Sequence, residues 1–205
     1  MSDYRINTML EGTEVHNDRG SKSLSRGLLS AVAAALLALT LPAYGTQAGV
    51  AVPFLGFELP VPLAALVFLL ASTTLGSFAA YHMWKAMHHR STLSSFVSEK
   101  LDRMPLFESD GDKERDKLLG VIGPRLVRAP ALMTNGVILS LAIMATLSLH
   151  TSAELNLLIT FGVVDTESVF GQDFALMMGV GFLTWSPYLA TGMIYLCGRL
   201  GYFIK

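Results

Sequence analysis

The chain has 205 residues, of which 52% are apolar and only 15% charged, far from the balance of a soluble globular domain. Its net charge is −1 and no cluster of Lys and Arg is interleaved with aromatic residues, which argues against nucleic acid as a partner. Cys197 is the single cysteine, so neither an intrachain disulfide nor a multi-cysteine metal cluster can be built within one copy.

In chain order, residues 1–26 form a polar N-terminal segment carrying Arg5, Arg19, Lys22 and Arg26. Residues 27–44, "GLLSAVAAALLALTLPAY", follow with 18 positions free of charge. At roughly 1.5 Å per residue, about 20 residues cover the ~30 Å hydrocarbon core of a bilayer, so this stretch predicts a transmembrane helix. It also has the form of a signal peptide, with a basic flank, an Ala–Leu core and the small residues Thr46 and Ala48 beyond it, and cleavage stays open as the alternative. Residues 61–84 are longer, and His82 is their one strongly titratable group. Residues 131–149 and 176–198 are again uncharged. A backbone in lipid must satisfy its own hydrogen bonds, and these segments are apolar all round, so four membrane helices are expected.

The cations divide the chain. All fifteen Lys and Arg lie before residue 27, between Lys85 and Arg128, or after residue 198. The connections at 45–60 and 150–175 hold none and carry Glu58, Glu154, Asp165, Glu167 and Asp173. By the positive-inside rule both termini and the central loop face the cytoplasm, with a bacterial inner membrane as the expected location. The expected fold class is an all-α membrane protein. Its four transmembrane helices form two hairpins, 27–84 and 131–198, joined by a cytoplasmic loop at 85–130 with an amphipathic helix and followed by a tail at 199–205.

At the end of the second stretch, "SFAAYHMWKAMHHR" gathers histidines, aromatics and cations. A zinc pair wants histidines four apart with a further ligand near, but four residues after His82 stands Ala86. Bis-histidine haem needs a second histidine at the same depth on another helix, and His150 is expected to end the third helix on the outer side. The residues therefore read as membrane-interface anchors: Tyr81 and Trp84 at headgroup level, Lys85 and Arg90 snorkelling to lipid phosphates, and His82, His88 and His89 beside them. A metal shared between copies, or pH sensing by His88 and His89, is the alternative.

In the central loop, residues 91–104 place Leu93, Phe96, Val97, Leu101 and Met104 at helical spacing behind Ser91 or Thr92 as N-cap, an amphipathic helix on the membrane or on a partner. "ESDGDKERDK" lacks the glycine and final glutamate positions of a calcium loop and reads as a solvated turn. Residues 118–130 read as an interfacial segment returning the chain to the bilayer. The outer connections are unusually apolar, and Phe54, Phe57, Phe161 and Phe170 are expected to meet a partner or the outer leaflet. On the fourth helix Gly179, Gly181, Gly192 and Gly198 are expected to allow close packing, with Pro187 introducing a kink.

No catalytic motif occurs, and no cofactor, metal or enzymatic activity is expected. The inner parts of the four stretches hold only Ser, Thr, Asn135, Tyr188 and Tyr195 as polar groups, whereas proton-coupled transport needs ionisable groups at membrane depth. The expected partners are the lipid bilayer and further copies or other membrane subunits. The expected function is a structural or assembly subunit of a multiprotein membrane complex, of a secretion or conjugation kind. The alternative from another class is an oligomeric channel or small-solute transporter lined by Thr73, Thr74, Ser77, Asn135 and the bend at Pro187.

Overall fold

A computed structural model describes residues 2–44, 48–51, 56–102, 131–164 and 173–199. The element order is α1 (Ser2–Tyr44), β1 (Gly49–Ala51), β2 (Glu58–Pro60), α2 (Val61–Asp102), α3 (Ala131–Thr134), α4 (Gly136–Thr160) and α5 (Asp173–Arg199). Among the described residues, three helices are long and apolar enough to cross a membrane, over Tyr4–Leu41, Val61–Leu93 and Gly136–Thr160. Their outward faces carry exposed leucine and other apolar side chains, among them Leu29, Leu36, Leu70, Val137 and Leu141. Such a surface suits lipid and not water.

Helix α1 is longer than the apolar stretch within it, because residues 2–26 contain no proline and Ile6 and Leu10 among them bury against α2. Ile6 and Leu10 are buried with Leu93. The two helices run antiparallel, with Gly12 against His89, Gly20 against His82 and Gly27 against Leu75. No break separates the second apolar stretch from residues 91–102. The expected independent amphipathic helix is instead the end of α2, and Ser91 and Thr92 are not N-caps. Both hydroxyls donate to the carbonyl of His88, within the continuous helix. Leu93 packs on α1, not on a membrane surface.

At the opposite end, β1 and β2 form an antiparallel ribbon pairing Val50 with Leu59, and Gly56 takes φ 71° in the turn region. The amide of Val61 donates to Ala48 C=O, and Pro62 sits in the first turn of α2, where its missing N–H costs no helical bond.

The third apolar stretch is redrawn at both ends. Asn135 breaks it, accepting from the amides of Val137 and Ile138 as the N-cap of α4. The helix then runs through His150 and on to Thr160. It stops in a Schellman arrangement, with Gly162 at φ 67° donating to Ile159 C=O and Val163 donating to Leu158 C=O. Helix α5 lies antiparallel to α4, with Gly192 against Ile143 and Tyr195 against Gly136. Pro187 leaves Leu183 C=O without its helical N–H, and the Ser186 hydroxyl donates there at 3.4 Å.

Beyond the Ile6–Leu10–Leu93 contact, two further apolar clusters fill the described bundle. One, towards the charged ends of α1 and α2, contains Leu24, Met83, Met87, Met133, Leu139 and Tyr195. The other, towards the β-ribbon, is built from Ala34, Ala38, Val61, Ala65, Leu69, Ala153 and Leu157, small residues that let α1, α2 and α4 approach closely. Polar side chains lie between them.

The expectations for the acidic stretch at 108–117, for 118–130, for Phe54 and for Phe170 fall outside the described residues.

Candidate functional site

Ser72 stands at the midpoint of the apolar stretch 61–84, and His150 lies near the midpoint of α4. The Ser72 hydroxyl touches three groups from three other helices: Gly27 C=O on α1 at 2.8 Å, His150 Nε2 on α4 at 2.7 Å and the Tyr188 hydroxyl on α5 at 2.8 Å. Tyr188 also donates to Ser72 C=O at 2.8 Å. Ser72, His150 and Tyr188 are fully buried. Gly27 and Gly76 make the space: a Cβ at either would come within 2.4 or 2.8 Å of Tyr188. Glycine at these two positions is what lets a tyrosine cross the helix interface.

One turn beyond His150, Glu154 is 6% exposed, and its Oε1 lies 4.0 Å from His150 Nδ1. The Thr184 hydroxyl bonds Glu154 Oε1 and also meets Gly181 C=O at 2.9 Å. Thr73 donates to Leu69 C=O at 3.0 Å and approaches Thr184 C=O at 3.2 Å. Gly181 is tightly enclosed: a Cβ there would lie 2.3 Å from Trp185 Nε1 and 3.1 Å from Glu154 Oε2. Two atoms of this centre, His150 Nδ1 and Trp185 Nε1, are buried without a hydrogen-bond partner. A histidine and a glutamate thus sit inside the helical bundle, within a segment apolar enough to cross a membrane. This corrects the expectation that His150 closes its helix, and it adds two buried ionisable side chains to a helix expected to hold none. The reason is that "HTSAE" contains no helix breaker and is followed by a further apolar turn, so the helix continues.

The second histidine group lies towards the charged ends of α1 and α2. His16 Nδ1 is 2.9 Å from His82 Nδ1, and the His16 ring stacks on His89 with centroids 5.6 Å apart. A second histidine at the level of His82 therefore exists, on α1. Among the described residues, no group of three or more His, Cys, Asp or Glu is arranged to hold a metal ion. The surrounding residues divide by face. Tyr81, Trp84, His88 and Arg90 are exposed, whereas His82, Lys85 and His89 are half-buried against the neighbouring helix. Lys85 Nζ lies 5.0 Å from the Trp84 ring centroid, and Trp84 stacks on His88.

The glycines of α5 are not equivalent. Gly181 meets Trp185 and Glu154, Gly192 meets Ile143, and Gly198 meets Met87 of α2, but a Cβ on Gly179 would touch nothing. Pro187 is half-buried. Phe57 and Phe161 are exposed, at 57% and 53%.

Among the described residues, two open grooves stand out on the outside. One, on α2, is lined by Thr73, Thr74, Ser77, Phe78 and Tyr81. The other, about 590 Å³, is lined by Leu147, Ser148, Thr151, Ser152, Leu155 and Trp185. The sequence matches no protein-family model, and no curated protein or solved structure is similar to it.

Proposed function

We propose that this chain is a membrane protein of transport type, a channel or small-solute transporter that couples to charge movement through His150 and Glu154. One observation carries the reading: an ionisable pair is enclosed by hydroxyls from neighbouring helices inside the bundle. Such groups are expensive in lipid and mark proton or substrate pathways when they occur. The reasoning that favoured a scaffold rested on the absence of these groups, and that premise has gone. The reading includes α5 as a fourth span, both termini and residues 103–130 in the cytoplasm by the positive-inside rule, and a bacterial inner membrane as the location.

The test is purified protein in liposomes with a pH-sensitive dye inside and an imposed proton gradient. The expected result is proton entry above that of empty liposomes, abolished in Glu154→Gln. Entry equal to that of empty liposomes, in every gradient direction, contradicts the reading.

The second reading, a structural or assembly subunit of a multiprotein complex of the secretion or conjugation kind, is supported by the hydroxyl-lined grooves on the outer faces of α2 and α4. In lipid, helices associate through small and hydroxyl-bearing surfaces, and these grooves offer both. It predicts co-purified membrane proteins in mild detergent together with silent liposomes.

A further inference from the structure

Along the polar part of α1 the buried positions Ile6, Leu10, Thr13, Asn17, Gly20 and Leu24 alternate steps of four and three, the spacing of a helix packed lengthwise on a partner. The apolar character of this seam lapses in the middle. Leu10 packs with Leu93, and Leu24 belongs to one core cluster with Met83, but between them α1 brings only Thr13, Asn17 and Gly20. The Thr13 hydroxyl turns back on its own helix, donating to Met9 C=O at 2.9 Å. His16 bridges this weak stretch to α2. Its Nδ1 lies 2.9 Å from His82 Nδ1, and its ring stacks on His89 with centroids 5.6 Å apart.

Two imidazole nitrogens form a hydrogen bond only while one carries a proton and the other a lone pair. Whichever ring donates, a first added proton can settle on the outer nitrogen, Nε2, of that donor and leave the bond in place. A second finds one vacancy, the accepting Nδ1, and filling it destroys the bond. Two imidazolium rings would then face each other with centroids 5.2 Å apart, beside the third histidine. No acid on α2 answers these charges, since residues 61–98 contain neither Asp nor Glu. On α1, Asp18 is exposed and paired with Lys22 at 2.6 Å, Glu11 is exposed, and Glu14 stands about 200° round the helix from His16. Permanent cations flank the group from both helices: Arg19 acts electrostatically on His16 and His82, and Lys85 on His16 and His89, with His88 acting on His89 as well. Tyr81 meets His16 edge-on, and the short helix α3, whose Met133 fills the space at Gly20, carries no charge.

We propose that His16 and His82, with His89 stacked on His16, form an acid-released latch that fastens the polar N-terminal part of α1 to α2. Above the ordinary histidine value of about 6.5 the bond is intact and the helices stay paired. Below it both rings are charged, the bond is lost, and repulsion opens the seam where Thr13, Asn17 and Gly20 offer little to hold it. The hold that remains beyond this point is the small cluster of Ile6, Leu10 and Leu93. Because the three histidines are only half-buried, protons reach them from water without unfolding the bundle. The latch goes beyond the transport reading and depends neither on it nor on the assembly reading.

The test is a distance between the two helices. In a Cys197→Ser background, which removes the single native cysteine, spin labels on Val15→Cys and Thr92→Cys occupy exposed positions on α1 and α2. Pulsed electron resonance of this parent in liposomes is expected to give one short distance population at about pH 8 and a second, longer one at about pH 5. His16→Gln and His82→Gln, made separately, should each remove the response, because an amide oxygen accepts from the remaining ring even when that ring is charged. His88→Gln should keep it. A parent distribution identical at both pH values would overturn the proposal, whatever the variants do. Opening that survives in both His16→Gln and His82→Gln would contradict it too, as would a response lost in His88→Gln. Opening at about pH 8 on adding EDTA would show a metal ion, not a shared proton, between the two nitrogens, and would also overturn it.

Discussion

The two histidine regions of this protein are built from the same side chain and do different work. His16, His82 and His89 lie half-buried where α1 and α2 carry their charges, with Arg19 and Lys85 close in sequence, and nearby exposed Tyr81 and Trp84. His150 is the one histidine of the other region, fully buried beside Ser72, Tyr188 and Glu154, and bonded through Ser72 to α1 and α5. At the first region a lost contact can be replaced by water. At the second nothing can replace it, so each polar group depends on the others. Crowding in the sequence and importance in the fold are therefore separate quantities. The histidine that stands alone in an apolar stretch is the one on which four helices converge.

This contrast orders the expected effects of substitution. The largest should come from Gly76→Leu, because a Cβ there already lies 2.8 Å from the Tyr188 ring, and that ring is held by its hydroxyl to Ser72. A cost of about 3 kcal/mol is expected, read as loss of folded protein in a denaturant titration in detergent. Ser72→Ala comes next. It deprives His150 Nε2 and Gly27 C=O of a partner in a site closed to water, and should cost about 2 kcal/mol in the same titration. A Ser72→Ala protein as stable as the parent would break the comparison, since the buried centre would then be no more demanding than a surface.

His82→Gln should be milder, below about 1 kcal/mol, because the amide can still bond His16 and the region is half-exposed. If it destabilises more than Ser72→Ala, the ranking of the two regions is inverted. Gly179→Ala sharpens the lower limit. Nothing lies within 4 Å of the added Cβ, so stability should stay within about 0.5 kcal/mol of the parent, whereas Gly198, packed against Met87, should not tolerate the same change so freely.

Much of the helical plan was legible in the sequence, and the misreadings have physical causes. The uncharged runs at 27–44 and 61–84 are parts of real helices, because apolar length is a strong signal. Their ends were not legible. Residues 2–26 and 91–102 look polar or merely amphipathic, and only the facing helix shows why they stay helical: Ile6, Leu10 and Leu93 bury one another. His150 and Glu154 were missed because an uncharged window stops at the first titratable residue. The spacing of four between them, with apolar Leu157, Leu158 and Ile159 following, was the signal that could have found them. Ser72, Tyr188 and the two glycines that admit Tyr188 are far apart in sequence, and nothing local connects them. Among the fourth-helix glycines, Gly192 lies against Ile143 and Gly198 against Met87, an added Cβ at Gly179 meets nothing, and Gly181 clears room for Trp185 and Glu154.

The most direct measurement is nitrogen NMR of His150 alone, in protein reconstituted in lipid with His16, His82, His88 and His89 replaced by Gln, which leaves one of the five histidines. The account predicts one imidazole state, bonded through Nε2 to the Ser72 hydroxyl, whose N–H exchanges slowly with bulk water. A resonance with both nitrogens averaged by rapid exchange and titrating like a free histidine would contradict it, because it would place His150 in water and dissolve the buried centre.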